Sequence, residues 1–393
     1  MPTPVMFKDP RLDFAKRIPV ELRSTRLPVF YATSRAPAAS GKPGHYINGE
    51  ADGTRVGIAR VRLGEPGWTW DDLVASDRTD TFERGRPGAV ESVEEIGELA
   101  NSGEAEQRFL AALDSQLGQA RNREIVLYVH GYRVTFDDVA VQMGSFAHFL
   151  GHGAMVTFQW PTGLHFWNYV TDCPRAERYI PDIERLIALL AQSSAESINL
   201  LAYSCGSPLL GAALQRLRAR HPAEGAAELA KRYRIGDVIF AASDVDLKTF
   251  ARDLVGPCLD LAQQLIIYAS RKDRALGFSN LIAGASRLGK PDIAELSPEE
   301  LERFAADPRL QVIDVSDVRG AHEMGGMRGH GYWFANDWIS TDITLVLRHA
   351  IPPERRCLVN VPGRRRVWQM PDDYEQCLGD RLLAAIPDLR REP

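Results

Sequence analysis

Cysteine is scarce in this chain. Five stand among 393 residues, at 173, 205, 258, 357 and 377, and no two form a C-x-x-C pair. An odd number at wide spacing argues against both a disulfide framework and a zinc site. Long apolar runs are missing as well. No segment approaches the ~20 apolar residues that a membrane-spanning helix needs. The first 21 residues carry Lys8, Asp9, Arg11, Asp13, Lys16 and Arg17 without an apolar stretch, which predicts no signal peptide and a cytoplasmic protein. Charge of one sign is also lacking: 47 Lys and Arg face 52 Asp and Glu, a net of -5. The densest basic run, Arg364-Arg365-Arg366, is short and reads as a solvated turn, so no nucleic-acid partner is expected. No internal repeat is present. What remains is an ordinary globular composition, 45% hydrophobic and 25% charged.

Within that frame, short β-rich runs alternate with helical patterns. Candidate strands are 29–32, 56–61, 125–129, 155–158, 198–201, 238–241, 265–269 and 310–315. Several later ones are unbroken apolar runs, as strands buried on both faces of a parallel sheet require. Amphipathic patterns at 135–150, 176–192, 207–218 and 246–254 lie between them. The alternation predicts an α/β chain with a doubly wound, mostly parallel sheet flanked by helices. Residues 1–27 read as an N-terminal surface extension, and residues 28–350 as one domain. Its Gly-, Pro-, Ser- and Glu-rich stretches near 35–55 and 84–105 read as loop insertions. Residues 351–393, with Pro352-Pro353 and Pro362-Gly363, read as a C-terminal hairpin and tail packed on the same domain.

The most informative stretch is Leu201-Ala202-Tyr203-Ser204-Cys205-Gly206. An apolar strand stops at a serine between small residues, and a helical run follows at once. This is the layout of a nucleophile elbow, a turn so tight that residues two either side of the serine must be small. Glycine is usual at both places; here they are Ala202 and Gly206. Cys205 reads as a small packing residue whose backbone N–H matters, rather than as a nucleophile.

A serine hydroxyl is a weak nucleophile and needs a base, which in turn needs an acid to hold it. With the elbow the chain order is serine, acid, histidine. His221 lies past the far end of the helix after the serine, and His349 ends another helical run. His322 and His330 share the Gly-rich loop after the last strand, and we favour His330, set between two glycines just before a helix. For the acid, Asp273 follows the strand immediately before the histidine strand and is favoured. Asp244 and Asp246 follow the preceding strand and stay open as alternatives, with a helix N-cap expected of one of them. An oxyanion hole needs two backbone N–H groups; Cys205 and Tyr132, after the strand ending at Val129, are the candidates. His130 precedes the serine and reads as a brace for its loop. The aromatic run Phe158, Trp160, His165, Phe166, Trp167 and Tyr169 suggests that Trp160, Phe166 and Trp167 line a substrate pocket. No metal or organic cofactor is required by such a site.

Taken together, several motifs resemble one family. They are Val129-His130-Gly131-Tyr132, Phe158-Gln159-Trp160-Pro161, Ala202-Tyr203-Ser204-Cys205-Gly206 and Ala241-Ala242-Ser243-Asp244-Val245-Asp246. Tyr268-Ala269-Ser270-Arg271-Lys272-Asp273, Arg287-Leu288-Gly289 and Gly329-His330-Gly331-Tyr332 complete the set. The chain resembles the bacterial family known as domain of unknown function 900, over about residues 28–350. The resemblance implies an α/β-hydrolase fold. The family usually has His before the serine and Met after it, where this chain has Tyr203 and Cys205. The residue before Asp244 is Ser243, where the family commonly has proline.

The expectation is a serine hydrolase cleaving carboxylic esters through an acyl-enzyme, on a small-molecule or lipid-like ester. A lipase or amidase on the same three residues is the alternative. A degenerate hydrolase serving as a binding module is the alternative of another class. Oligomeric state is not legible.

Overall fold

The computed structural model describes residues 1–39, 44–79, 86–99, 103–151, 153–165, 168–322, 329–349 and 351–391. Its centre is one eleven-stranded sheet. In chain order the strands are β1 (Arg26–Pro37), β2 (Tyr46–Leu63), β3 (Gly88–Glu98), β4 (Glu124–Val129), β5 (Ala154–Gln159) and β6 (Ser197–Tyr203). Then come β7 (Ile235–Ala241), β8 (Ala262–Ala269), β9 (Leu310–Asp314), β10 (Val359–Asn360) and β11 (Val367–Gln369). In space they run β10-β11-β9-β8-β7-β6-β4-β5-β1-β2-β3. Every pairing from β11 to β1 is parallel, whereas β1–β2, β2–β3 and β10–β11 are antiparallel. The sheet is thus mostly parallel with an antiparallel extension at each end.

The parallel strands are apolar because both of their faces are covered. β4, Glu-Ile-Val-Leu-Tyr-Val, is buried from Ile125 to Val129. One face packs on helices Glu104–Gln119, Ile180–Leu190 and Gly206–Ala219 through Phe109, Leu113, Ile183, Leu186, Leu209 and Leu214. The other packs on Phe136–Leu150, Asp337–His349 and Tyr374–Ala385 through Phe136, Met143, Ile343, Leu347 and Leu378. Helix Phe136–Leu150 starts on a capping box of Thr135 and Asp138 and stops at Gly151, which takes a left-handed φ of 68°.

The chain leaves β4 for β5 on one side and returns to β6 on the other. Strand order therefore switches between β4 and β6, and the crevice above such a switch point is where open α/β sheets bind ligands. The register brings the strand ends level there: Val129 pairs with Ala202, Tyr203 with Ala241, and Ala241 with Tyr268.

Three features differ from what the sequence suggests. The stretches 35–55 and 84–105 are not simple loops. Residues 46–55 belong to the long strand β2, and 88–98 form β3. Their Gly and Glu content suits an edge hairpin that covers little apolar surface, which is why the pattern of a buried strand is missing. The N-terminal segment is not only a surface wrap: Val5, Met6, Leu12 and Phe14 are buried in the second core, and Val5 N–H donates to Thr341 Oγ1 at 2.8 Å. Finally, four of the five cysteines are paired, Cys173 with Cys205 and Cys357 with Cys377. Spacing along the chain gave no warning, because both pairs are closed by tertiary packing. Cys357–Cys377 ties the turn after Pro353–Arg356 to helix Tyr374–Ala385 within the C-terminal segment. Beside it, buried Arg356 donates to Asp342 Oδ2 at 2.8 Å and to Gln311 Oε1 at 3.1 Å. Among the described residues, no helix is long and apolar enough to cross a membrane.

Candidate active site

Ser204 sits between β6 and helix Gly206–Ala219 with φ at 52°, a left-handed conformation that a serine adopts only when its surroundings enforce it. They do. Ser204 N–H donates to Ala241 O at 3.1 Å, and Ser204 O accepts from Ser207 at 2.9 Å and Asp244 at 3.3 Å. Gly206 is required by contact, since a Cβ there would stand 2.5 Å from both His130 O and Val129 O. Ala202, by contrast, is a fully buried strand residue whose methyl is accommodated.

Three buried side chains converge at the strand ends. His330 Nε2 lies 2.8 Å from Ser204 Oγ, and His330 Nδ1 lies 2.6 Å from Asp273 Oδ2. A carboxylate can only accept, so Nδ1–H donates to Asp273 and Nε2 is left to accept the serine proton. Asp273 is held in turn: its Oδ1 accepts from Leu276 N–H at 2.9 Å, capping helix Arg274–Ala283. Lys290 Nζ donates to Asp273 O at 2.8 Å. Burial pulls the His330 imidazole down. The charge of Asp273, its hydrogen bond and the charge of Asp244 more than offset that pull, leaving the pKa above the usual histidine value. Tyr203 and Phe334 pack around the imidazole and the serine strand, with Tyr203 at 5.1 Å from the His330 ring.

The other candidates fall elsewhere. Asp246 caps the short helix that follows it, accepting from Thr249 N–H at 2.8 Å. Asp244 accepts from the Tyr169 hydroxyl at 2.5 Å and from Ser279 Oγ at 2.6 Å, with Arg287 Nε at 3.4 Å. His322 Nε2 lies 3.1 Å from Ser270 Oγ, bracing the loop that carries His330. His221 pairs with the Tyr233 hydroxyl at 2.8 Å, beyond the far end of the elbow helix.

His130 is buried, its Nδ1 2.6 Å from Gly131 O. Burial first, then the nearby Arg35 charge, holds its pKa well below the usual value, so it stays neutral. Trp160 stacks on it at 5.3 Å and donates Nε1–H to His130 O at 2.9 Å. Trp160 is fully buried, and its stacking and hydrogen bond fix the loop after β4. Phe166 and Trp167 lie outside the described residues. That loop reaches the serine: a Cβ on Gly131 would stand 2.9 Å from Ser204 Cβ. Among the described residues, the backbone N–H groups of Tyr132 and Cys205 have no protein acceptor.

A groove of about 430 Å³ opens beside the elbow. Val170, Pro174, Pro208, Val245, Leu254 and Ile282 supply apolar walls, and Cys173, Cys205, Tyr169, Asp244, Glu177 and Arg287 are among the other lining residues. The groove adjoins Ser204 through Cys205 and is not lined by Ser204, Asp273 or His330 themselves; a second cleft of about 270 Å³ lies at the opposite end of β5. The Asp244 cluster had no signal in the sequence, because Tyr169, Ser279 and Arg287 come from three separate segments. Cys173, Cys205 and Asp244 also stand close enough together to suggest a metal site. Their sulfurs are joined, which removes two of the three donors.

A parallel sheet with a serine elbow at its switch point defines an α/β hydrolase. The chain belongs to the family described as alpha/beta hydrolase of unknown function (DUF900), whose sequence pattern matches residues 105–347. Among solved structures it is similar to the "putative cell surface hydrolase" of Lactobacillus plantarum WCFS1. Identity there is 12%, covering 67% of this chain and 99% of that one, with a TM-score of 0.33. It is also similar to LpqC, a poly(3-hydroxybutyrate) depolymerase from Bordetella parapertussis. Identity is 14%, covering 84% and 91% of the two chains, with a TM-score of 0.35. Both likenesses are too remote to carry a substrate. No curated protein sequence matches the chain.

Proposed function

We propose that the chain is a serine hydrolase acting on carboxylic esters. The observation that carries this reading is the continuous hydrogen-bond line Ser204 Oγ–His330–Asp273, at 2.8 and 2.6 Å. His330 takes the serine proton as Oγ attacks the ester carbonyl, and Asp273 stabilises the imidazolium that results. The unpaired N–H groups of Tyr132 and Cys205 receive the developing oxyanion. The imidazolium then protonates the leaving alkoxide, and water repeats the sequence on the acyl-enzyme. An ester is favoured over an amide because an alkoxide leaves with less help from the acid. The groove at Cys205, with its apolar walls, supports an apolar acyl or alcohol group.

The test is hydrolysis of p-nitrophenyl acetate, butyrate and octanoate by wild type and Ser204→Ala. Wild-type turnover that falls by about 10³-fold or more in the variant supports the reading. A chain-length optimum at octanoate would place the enzyme among lipases. No turnover, together with no labelling of Ser204 by a fluorophosphonate, overturns it in favour of a binding module.

A further inference from the structure

The Cys173–Cys205 disulfide joins two parts of the site that the sequence keeps 32 residues apart. Cys205 follows Ser204 directly, and its N–H is one of the two proposed oxyanion donors. Cys173 lies in the short helix Tyr169–Arg175, which has no buried residue and a proline, Pro174, inside it. Besides the disulfide, Tyr169 and Cys173 pack on the edge of the core, and the Tyr169 hydroxyl lies 2.7 Å from Ser279 Oγ. Tyr169 donates its hydroxyl to Asp244, its ring meets Tyr132 edge-on at 5.9 Å, and Asp172 accepts from Gly163 N–H at 2.6 Å. Both sulfur-bearing residues line the groove; Cys173 is partly exposed and Cys205 is buried. An acceptor for a free Cys205 thiol already stands in place, since Asp244 Oδ2 is 3.6 Å from its sulfur. The remaining cysteine, Cys258, is buried. Its thiol is pushed up to about 12 by desolvation, so it supplies no third partner for exchange.

We propose that Cys173–Cys205 is a thiol–disulfide exchange site through which a dithiol reductant lowers the reactivity of Ser204. The part that concerns reactivity rests on the esterase reading above; the opening of the pair does not. A thiolate of the reductant attacks the Cys173 sulfur, the one exposed to the groove. The S–S bond breaks and Cys205 leaves as a thiolate, which takes up a proton and turns to Asp244. The second thiol of the reductant then attacks the mixed disulfide. Cys173 leaves as a thiol, and the reductant departs as a disulfide. Two electrons and two protons have passed to the protein. The helix Tyr169–Arg175 is then released from the elbow, and with it the packing of Tyr169 on the Tyr132 loop. Both oxyanion donors lose part of their support, and such donors contribute only when fixed in advance.

The test treats the full chain with dithiothreitol, removes the reductant by desalting under nitrogen, and divides the sample. Alkylation with peptide mass spectrometry identifies which cysteines have opened. kcat/KM for p-nitrophenyl butyrate and hydrogen exchange of residues 169–175 are measured in both redox states. Opening of Cys173 and Cys205 is expected to lower kcat/KM by about tenfold, to speed exchange over 169–175, and to reverse on reoxidation. Cys173→Ser is expected to sit at the reduced level and to ignore dithiothreitol. A pair that resists reduction overturns the proposal, and so does one that opens with turnover and exchange unchanged. If neither state turns over, exchange alone decides. Faster exchange upholds the latch while the esterase reading fails, and unchanged exchange defeats the latch.

Discussion

At the scale of single residues, the proposed reaction turns on the state of His330. The base must be neutral to accept the Ser204 proton. Burial favours the neutral ring, and Asp273 and Asp244 favour the charged one and prevail. The acid limb of kcat/KM is therefore expected above about 6.5, the unperturbed histidine value, with activity lost as pH falls through it. In Asp273→Asn the largest opposing charge is gone, so burial gains weight and the limb moves to lower pH while turnover drops. A pH–rate profile on p-nitrophenyl butyrate checks both; a wild-type limb well below 6.5 would contradict the pairing. The sign for stability is the reverse. The raised pKa stabilises the fold below the unfolded value of about 6.5, and that contribution is lost as pH rises through the folded one.

Much of this was legible in the residues. That Ser204, Asp273 and His330 meet at the strand ends could be read from strand, small neighbours and helix for the first, and from strand order and a Gly-rich loop for the other two. The place of Trp160 in an aromatic run does not reveal that its indole is buried and bonded to His130 O. The pairing of Cys205 was equally hidden, since a partner 32 residues away is set by packing and leaves no periodic trace.

At the scale of elements, the elbow depends on how closely helix Gly206–Ala219 approaches the end of β4. Gly206→Ala would place a methyl 2.5 Å from two backbone oxygens, neither of which can yield without moving β4. The expected cost is about 1–3 kcal/mol, with a loss of kcat because the same shift displaces the Tyr132 loop. Thermal melting and kcat measured together check this; an unchanged kcat would show that the helix gives way instead of the loop. The strands that carry the site were readable for the same reason that they are rigid: each is an apolar run buried on both faces. β3 was not, because it contributes only one weakly buried face and alternates no clear pattern. The bridge at Arg287-Leu288-Gly289 was legible as a motif but not as a device. There Leu288 donates to Val245 O, Gly289 to Ser243 O, and Gly289 O accepts from Ser270, so one segment joins the Asp244 loop to the Asp273 loop.

At the scale of the molecule, the sheet has two unlike ends. Above the strands lies the site; below them stand Asp237, which is buried, and Glu124, which is partly buried. Desolvation raises Asp237 to about 7 against the pull of Arg356. Desolvation, then the charge of Asp237, raises Glu124 to about 7. An acid whose pKa rises on folding favours the native state only while protonated. Stability is therefore expected to fall as pH rises from about 4 to about 7. Asp237→Asn removes the Asp237 share of that loss, and is expected to be more stable than wild type at pH 8 by on the order of 2 kcal/mol, with a smaller gain at pH 5. Urea unfolding at the two pH values checks it; an equal difference at both would remove the titration from the explanation.

The antiparallel extensions have a consequence for how copies of this chain meet. An open sheet ends in rows of unpaired amide and carbonyl groups, which invite another chain to add a strand. Here one outermost strand, β10, is two residues long. The other, β3, bears Glu91, Glu94, Glu95 and Glu98 along its length, and Arg26, Arg62 and Arg55 pair with two of them. The first is too short to template a neighbour, and the second meets an identical neighbour as one acidic row against another. The hairpin that covers so little core thus serves as a guard rail, keeping a large and otherwise adhesive sheet from growing past its own chain.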